Sequence, residues 1–140
     1  MADVTVSTVI NRPVEVVAAY AVDPDNAPEW YENIKSIEWE TTPPAAVGSR
    51  MRFVARFLGR TMRYTYEVAE LEPSRRLVMR TTNGPSMETT YEFAPEGEGA
   101  TRMTLRNRGG PALLSPLMAP AMRRANTKDL ASIKALLESR

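Results

Sequence analysis

The chain of 140 residues contains no cysteine and no histidine. The first absence excludes a disulfide framework and thiolate chemistry. The second removes the commonest metal ligand and the commonest general base near neutral pH. Any catalysis would fall to Asp, Glu, Tyr, Lys, Arg or ordered water, and no metal-ligand spacing is present, so no metal is expected. Charge of one sign is also missing. The net charge is +1, which gives no electrostatic footprint for nucleic acid or an anionic membrane. No run of about 18 apolar residues occurs, so no stable membrane insertion is expected. The first ten residues lack the basic start and apolar run of a signal peptide, and a cytoplasmic location is the expectation. What the chain does have is an ordinary globular composition, 43% apolar and 25% charged. Its length fits one domain over residues 1–140.

Val4 to Ile10 is rich in β-branched residues and reads as a strand. Asn11-Arg12-Pro13 ends it, and Pro13 suits the first turn of a helix. Val14, Val17, Ala18 and Ala21 recur at helical spacing, giving a short helix over 13–22. Asp23-Pro24-Asp25-Asn26 stops it, and a second short helical piece runs toward Trp30 and Tyr31. From Ile34 the period becomes two. Strands follow over 34–40, 49–58, 61–71, 76–82, 87–93 and 101–107, separated by Pro- and Gly-bearing turns. Connections this short join antiparallel neighbours. One face is apolar, and the other carries Arg, Glu and Thr. After Gly109-Gly110-Pro111 the period returns to 3.6. Met118, Met122, Asn126, Leu130, Ile133 and Leu137 form one stripe on a helix of about twenty residues. Pro120 lies too deep for an unstrained helix beginning at Ser115, so a kink or separate turn is expected there.

Strands followed by a long helix define an α+β domain with the helix laid on one face of a seven-stranded sheet. One helix cannot cover so broad a sheet, so the concave remainder is either filled by large side chains or left as a cavity. Phe53, Phe57, Tyr64, Tyr66, Met79, Thr89, Tyr91 and Asn107 point inward from the strands. Met118, Met122 and Asn126 face them from the helix. A plain core is one account of this face. The other is a ligand site, because three tyrosines, Thr89, Asn107 and Asn126 are many polar tips for a dry interior. Methionine suits a surface that adapts to a ligand, and a mostly apolar wall with a few polar groups is the usual make-up of a small-molecule pocket.

The chain resembles the START-like, Bet v 1-like superfamily, in its bacterial polyketide cyclase/dehydrase branch. The residues that carry the likeness are Val4 to Ile10 running into Asn11-Arg12-Pro13-Val14, then Asp23-Pro24 leading to Trp30. Val68 through Leu71-Glu72-Pro73-Ser74-Arg75-Arg76-Leu77 and the helix ending Leu130 to Leu137 complete it. The resemblance implies a helix-grip fold, in which a curved antiparallel sheet wraps a long C-terminal helix and two short helices follow the first strand. It implies a hydrophobic small-molecule ligand, such as a lipid, polyketide-like or aromatic compound, held between sheet and helix without a cofactor. A cyclase, aromatase or dehydratase acting on a carbonyl-rich substrate is the alternative it leaves open. Fold alone does not decide between them.

Within that frame Trp30 either sits beside the pocket mouth, as the resemblance implies, or plugs the core. Tyr64, Tyr66 and Tyr91 orient a ligand, act as weak acids or simply pack. With an ordinary pKa near 10 a tyrosine needs a helper to act as a base, and no inward Lys or Asp is evident. Asn126 is either a satisfied core amide or a ligand contact. Arg52, Arg56, Arg63, Glu67, Glu88, Glu92, Arg102 and Arg106 read as cross-strand charge pairs in water, with a protein-docking surface as the rival. Gly109-Gly110-Pro111 reads as a turn or gate near the cavity entrance. A monomer or weak homodimer is expected.

Overall fold

A computed structural model of the protein describes residues 3–57, 59–83, 86–109, 117 and 119–140. Strand β1, Asp3–Ile10, is followed by helix α1, Val14–Ala21, a short 3-10 turn at Pro24–Asn26 and the single-turn helix α2, Ala27–Trp30. Six strands then run in succession: β2 (Ile34–Trp39), β3 (Arg50–Phe57), β4 (Arg60–Glu72), β5 (Arg76–Asn83), β6 (Met87–Pro95) and β7 (Thr101–Gly109). Helix α3, Ala119–Glu138, closes the chain. This is the α+β order expected from the pattern, in the helix-grip arrangement that the family resemblance implies.

The strands form one seven-stranded sheet in the order β1-β7-β6-β5-β4-β3-β2, and every neighbouring pair is antiparallel. Register follows alternation. Pairing Phe53 with Tyr64, Met79 with Thr89, and Thr89 with Asn107 puts all of them on the concave face. A one-residue slip would turn each of them to solvent. Irregularities in β4 between Thr65 and Tyr66 and between Val68 and Glu70 bend this long strand and help curl the sheet. On the convex face the charges pair across strands, as in Arg80–Glu88 at 2.7 Å, Arg76–Glu92 at 2.9 Å and Arg106–Asp3 at 2.8 Å.

Helix α3 lies along the open edge of β1 and seals it. Arg123 donates to the Thr5 carbonyl at 3.0 Å and Lys134 to the Val9 carbonyl at 2.6 Å. Those side chains occupy acceptors that another strand could otherwise pair with. Pro120 is the second residue of the helix, in a first turn that needs no N–H from it. Of the kink or separate turn expected there, the helix shows a start instead of a kink, and residues 110–116 and 118, where a separate turn would fall, lie outside the described residues. The C-terminal half of α3 buries Leu130, Ile133 and Leu137 in the same core cluster as Ile10, Val17, Ala18 and Met103. That end of the grip is a dry core. Toward the N-terminal half of α3 the filling stops and a cavity opens.

Candidate functional site

The cavity has a volume of about 120 Å³ and lies between the concave sheet face and α3. Phe53 and Phe57 of β3, Tyr64 and Tyr66 of β4, Met79 of β5, and Thr89 and Tyr91 of β6 line it. Asn107 of β7 and Met122 and Asn126 of α3 complete the set expected from the sequence. Alternation puts these side chains together, since residues two apart on a strand share a face. Met118 lies outside the described residues, as do Gly110 and Pro111 of the expected gate. A wider groove of about 590 Å³ runs over the outside, but its arginines are engaged with glutamates, Arg76 with Glu92 and Arg102 with Glu96.

Trp30 does not line the cavity. It is 1% exposed and plugs the core. Helix α2 ends at Trp30 and the backbone turns extended at Tyr31 (φ −81°, ψ 126°), which directs the next ring to the cavity wall instead. Tyr31 is thus the aromatic that the sequence reading missed by one position. Its hydroxyl meets the Tyr91 hydroxyl at 2.7 Å, and its ring lies 4.1 Å from that of Trp30.

A second polar feature spans three strands and the helix. Tyr66 and Thr89 hydroxyls are 2.7 Å apart. The Thr89 hydroxyl donates to Asn107 Oδ1 at 2.5 Å, which leaves its oxygen to accept from Tyr66. Asn107 Nδ2 in turn donates to Asn126 Oδ1 at 3.1 Å. Every donor in this series points the same way. It ends on Asn126 Nδ2, which is buried, belongs to a side chain in the cavity wall and has no partner among the described residues. Asn126 is only 4% exposed, so its unpaired N–H carries a desolvation cost that a ligand acceptor would relieve.

Contrary to the expectation from sequence, an acid does face inward. Asp129 follows Asn126 by three residues on α3, lines the cavity and is 2% exposed. Its Oδ1 accepts the Glu32 backbone N–H at 2.9 Å. Burial pushes its carboxyl up to about 7, a displacement that the Glu32 N–H only partly opposes. The signal was available in the i, i+3 step from Asn126, which keeps a side chain on the same helix face.

The tyrosines, by contrast, are held neutral. Burial pushes Tyr66 up to about 12 and raises Tyr31, Tyr64 and Tyr91 well above the ordinary phenol value. They can donate hydrogen bonds but cannot serve as bases. Among the described residues of the wall, Asp129 is the group poised to exchange a proton near neutral pH. No cluster of acids able to hold a metal occurs among the described residues, and none of their helices is long and apolar enough to cross a membrane.

A curved seven-stranded antiparallel sheet gripping a long C-terminal helix, with two short helices after the first strand, is a START-like, helix-grip fold. The chain belongs to the polyketide cyclase/dehydrase and lipid transport family, whose model matches residues 1–138. Many solved structures share the fold, three of them as follows. A START superfamily protein from Mycobacterium smegmatis has a TM-score of 0.78 at 13% identity, over 96% of this chain and 98% of its own. The protein TTHA0849 from Thermus thermophilus reaches a TM-score of 0.80 at 23% identity over 99% of both chains. The Zhui aromatase/cyclase from Streptomyces sp. R1128 has a TM-score of 0.78 at 15% identity, over 99% of this chain and 94% of its own. No curated protein matches the sequence.

Proposed function

We propose that this protein binds a hydrophobic small molecule, a lipid, polyketide-like or aromatic compound, in the cavity between sheet and α3. The observation that carries the reading is the make-up of that wall: apolar and aromatic side chains interrupted by a few convergent polar groups. A volume of about 120 Å³ is below the roughly 300–1,000 Å³ of sites that enclose drug-sized ligands. It is near the roughly 150 Å³ of an apolar cavity that takes up benzene. As it stands the cavity therefore suits a single ring or a short branch, with any longer part of the ligand extending through the mouth. The protein in this reading works in the cytoplasm as a monomer or weak homodimer, without nucleic acid.

Asp129 favours a second reading, a cyclase, aromatase or dehydratase acting on a carbonyl-rich substrate. Its carboxylate would take a proton from the carbon beside a carbonyl, and the resulting acid would return it to a departing hydroxyl, releasing water. Native mass spectrometry of the protein purified from the organism that makes it separates the outcomes. A defined hydrophobic molecule released at near one-to-one stoichiometry supports binding, and a substrate–product pair released together supports the enzyme. A clean apo mass, with no shift in the NMR signals of the wall residues on adding ethylbenzene, overturns both.

A further inference from the structure

We infer that Asn107 is a specificity-determining residue: it holds the Asn126 amide so that the cavity presents a hydrogen-bond donor and selects ligands carrying a carbonyl. The inference rests on the cavity being a binding site. Asn126 alone could offer either end of its amide, since the two are nearly identical in shape and opposite in hydrogen bonding. The choice is made by its neighbour. Asn107 Nδ2 occupies Asn126 Oδ1, so the nitrogen is the end left over.

Asn107 is itself held by its neighbours. Its Oδ1 is taken by the Thr89 hydroxyl, and the Thr89 oxygen lies 2.7 Å from the Tyr66 hydroxyl. In this arrangement four side chains from β4, β6, β7 and α3 present one polarity at one point of a largely apolar wall. An apolar ligand would leave the Asn126 N–H buried and unpaired. One with a carbonyl oxygen at that point would pair it.

The test uses two probes of nearly the same size, acetophenone and ethylbenzene, titrated into the protein and followed by NMR shifts of the wall residues. The wild type should bind acetophenone more tightly by on the order of tenfold, the worth of about one hydrogen bond. Asn107→Leu keeps the volume but removes the group that orients Asn126. Acetophenone should then fall to within about twofold of ethylbenzene, the ratio of the two being read within each protein. A variant with merely damaged packing would lose both probes together. Thr89→Val, which removes only the hydroxyl that anchors Asn107, should narrow the preference in the same direction, and it decides the matter should Asn107→Leu fail to fold. Acetophenone preference that survives the folded variant overturns the assignment. Ethylbenzene that leaves the wild-type wall unperturbed overturns the binding reading itself, which is a different result.

Discussion

Replacing Asp129 by asparagine should stabilise the protein, by an amount that grows as pH rises from about 4 to about 7 and is constant above it. Asparagine keeps a side-chain oxygen to accept the Glu32 N–H while removing the charge. The carboxyl rises from 3.8 to about 7 on burial. Between these values the folded protein binds more protons than the unfolded chain, so stability falls as pH rises through the window and levels off above about 7. At ~1.4 kcal/mol per pKa unit the full displacement is worth ~4 kcal/mol, and relaxation around the charge brings it to about 2–4 kcal/mol. For a chain of this size that is about 5–15 °C in Tm. Asp3 and Glu138, whose carboxyls are lowered by Arg106 and Lys134, make the opposite contribution at acid pH. They are present in both proteins, so the difference between variant and wild type isolates Asp129. Urea unfolding followed by tryptophan fluorescence should give coincident stabilities near about pH 4 and a variant more stable by about 2–4 kcal/mol near pH 8. Curves that stay parallel across the range would refute the buried, raised carboxyl. A variant less stable at pH 8 would mean that the charge is compensated by a partner, and the proton-transfer reading would go with it.

Tyr91→Phe should cost about 1 kcal/mol by leaving the Tyr31 hydroxyl without its partner, with the fold retained and Trp30 emission altered by the change in its neighbouring ring pair. The check is a urea midpoint with the same slope as wild type. Gly109→Ala should be far more damaging than Gly97→Ala, although both sit at positive φ. At Gly97, with φ +70° and open space around it, only the left-handed backbone is penalised, about 1–2 kcal/mol. At Gly109, with φ +83°, the new methyl would also press on the backbone carbonyl of Ser86, adding about 1–3 kcal/mol. Equal Tm losses for the two would contradict the close approach at the end of β7.

The sheet was legible because period-two alternation assigns faces without knowledge of the partner strand. Met51, Phe53 and Ala55, then Tyr64 and Tyr66, then Thr89 and Tyr91, had only one way to face the core together. Helix α3 was legible through Leu130, Ile133 and Leu137 for the same reason. Asp129 was not, because a charged residue between Lys128 and Leu130 reads as part of the solvated face. Only the spacing from Asn126 puts it inside, and composition argues against spacing there. Tyr31 was hidden differently. Which of two adjacent aromatics reaches the cavity depends on where a single-turn helix stops, and no periodicity exists over four residues to fix that. The run of hydrogen bonds through Thr89 and Asn107 was visible only as a set of polar residues. Its direction comes from the pairing of β6 with β7, which sequence does not reveal.

The order of side chains along α3 gives the cavity an orientation. Met122 is half-buried, Asn126 is buried with its N–H unpaired, and Asp129 is buried with its carboxyl raised. From the first to the last of these three is a separation of seven positions, about 10 Å at the helical rise. A molecule entering past Met122 and the half-buried Phe57, Met62 and Met87 crosses apolar surface first. It then meets a single donor and, one turn further on, the carboxyl of Asp129. Such an order favours ligands whose polar end leads. A carbonyl paired to Asn126 would hold its neighbouring atoms in the same cavity as Asp129, and proton transfer requires that carboxyl to come within hydrogen-bond reach, roughly 2.6–3.2 Å, of the proton it takes. In a pure carrier the carboxyl would be a cost without a return, since burying it opposes folding above acid pH. Its position beyond the donor, rather than at the rim where water could solvate it, is therefore the feature that keeps the enzyme reading alive beside the binding one.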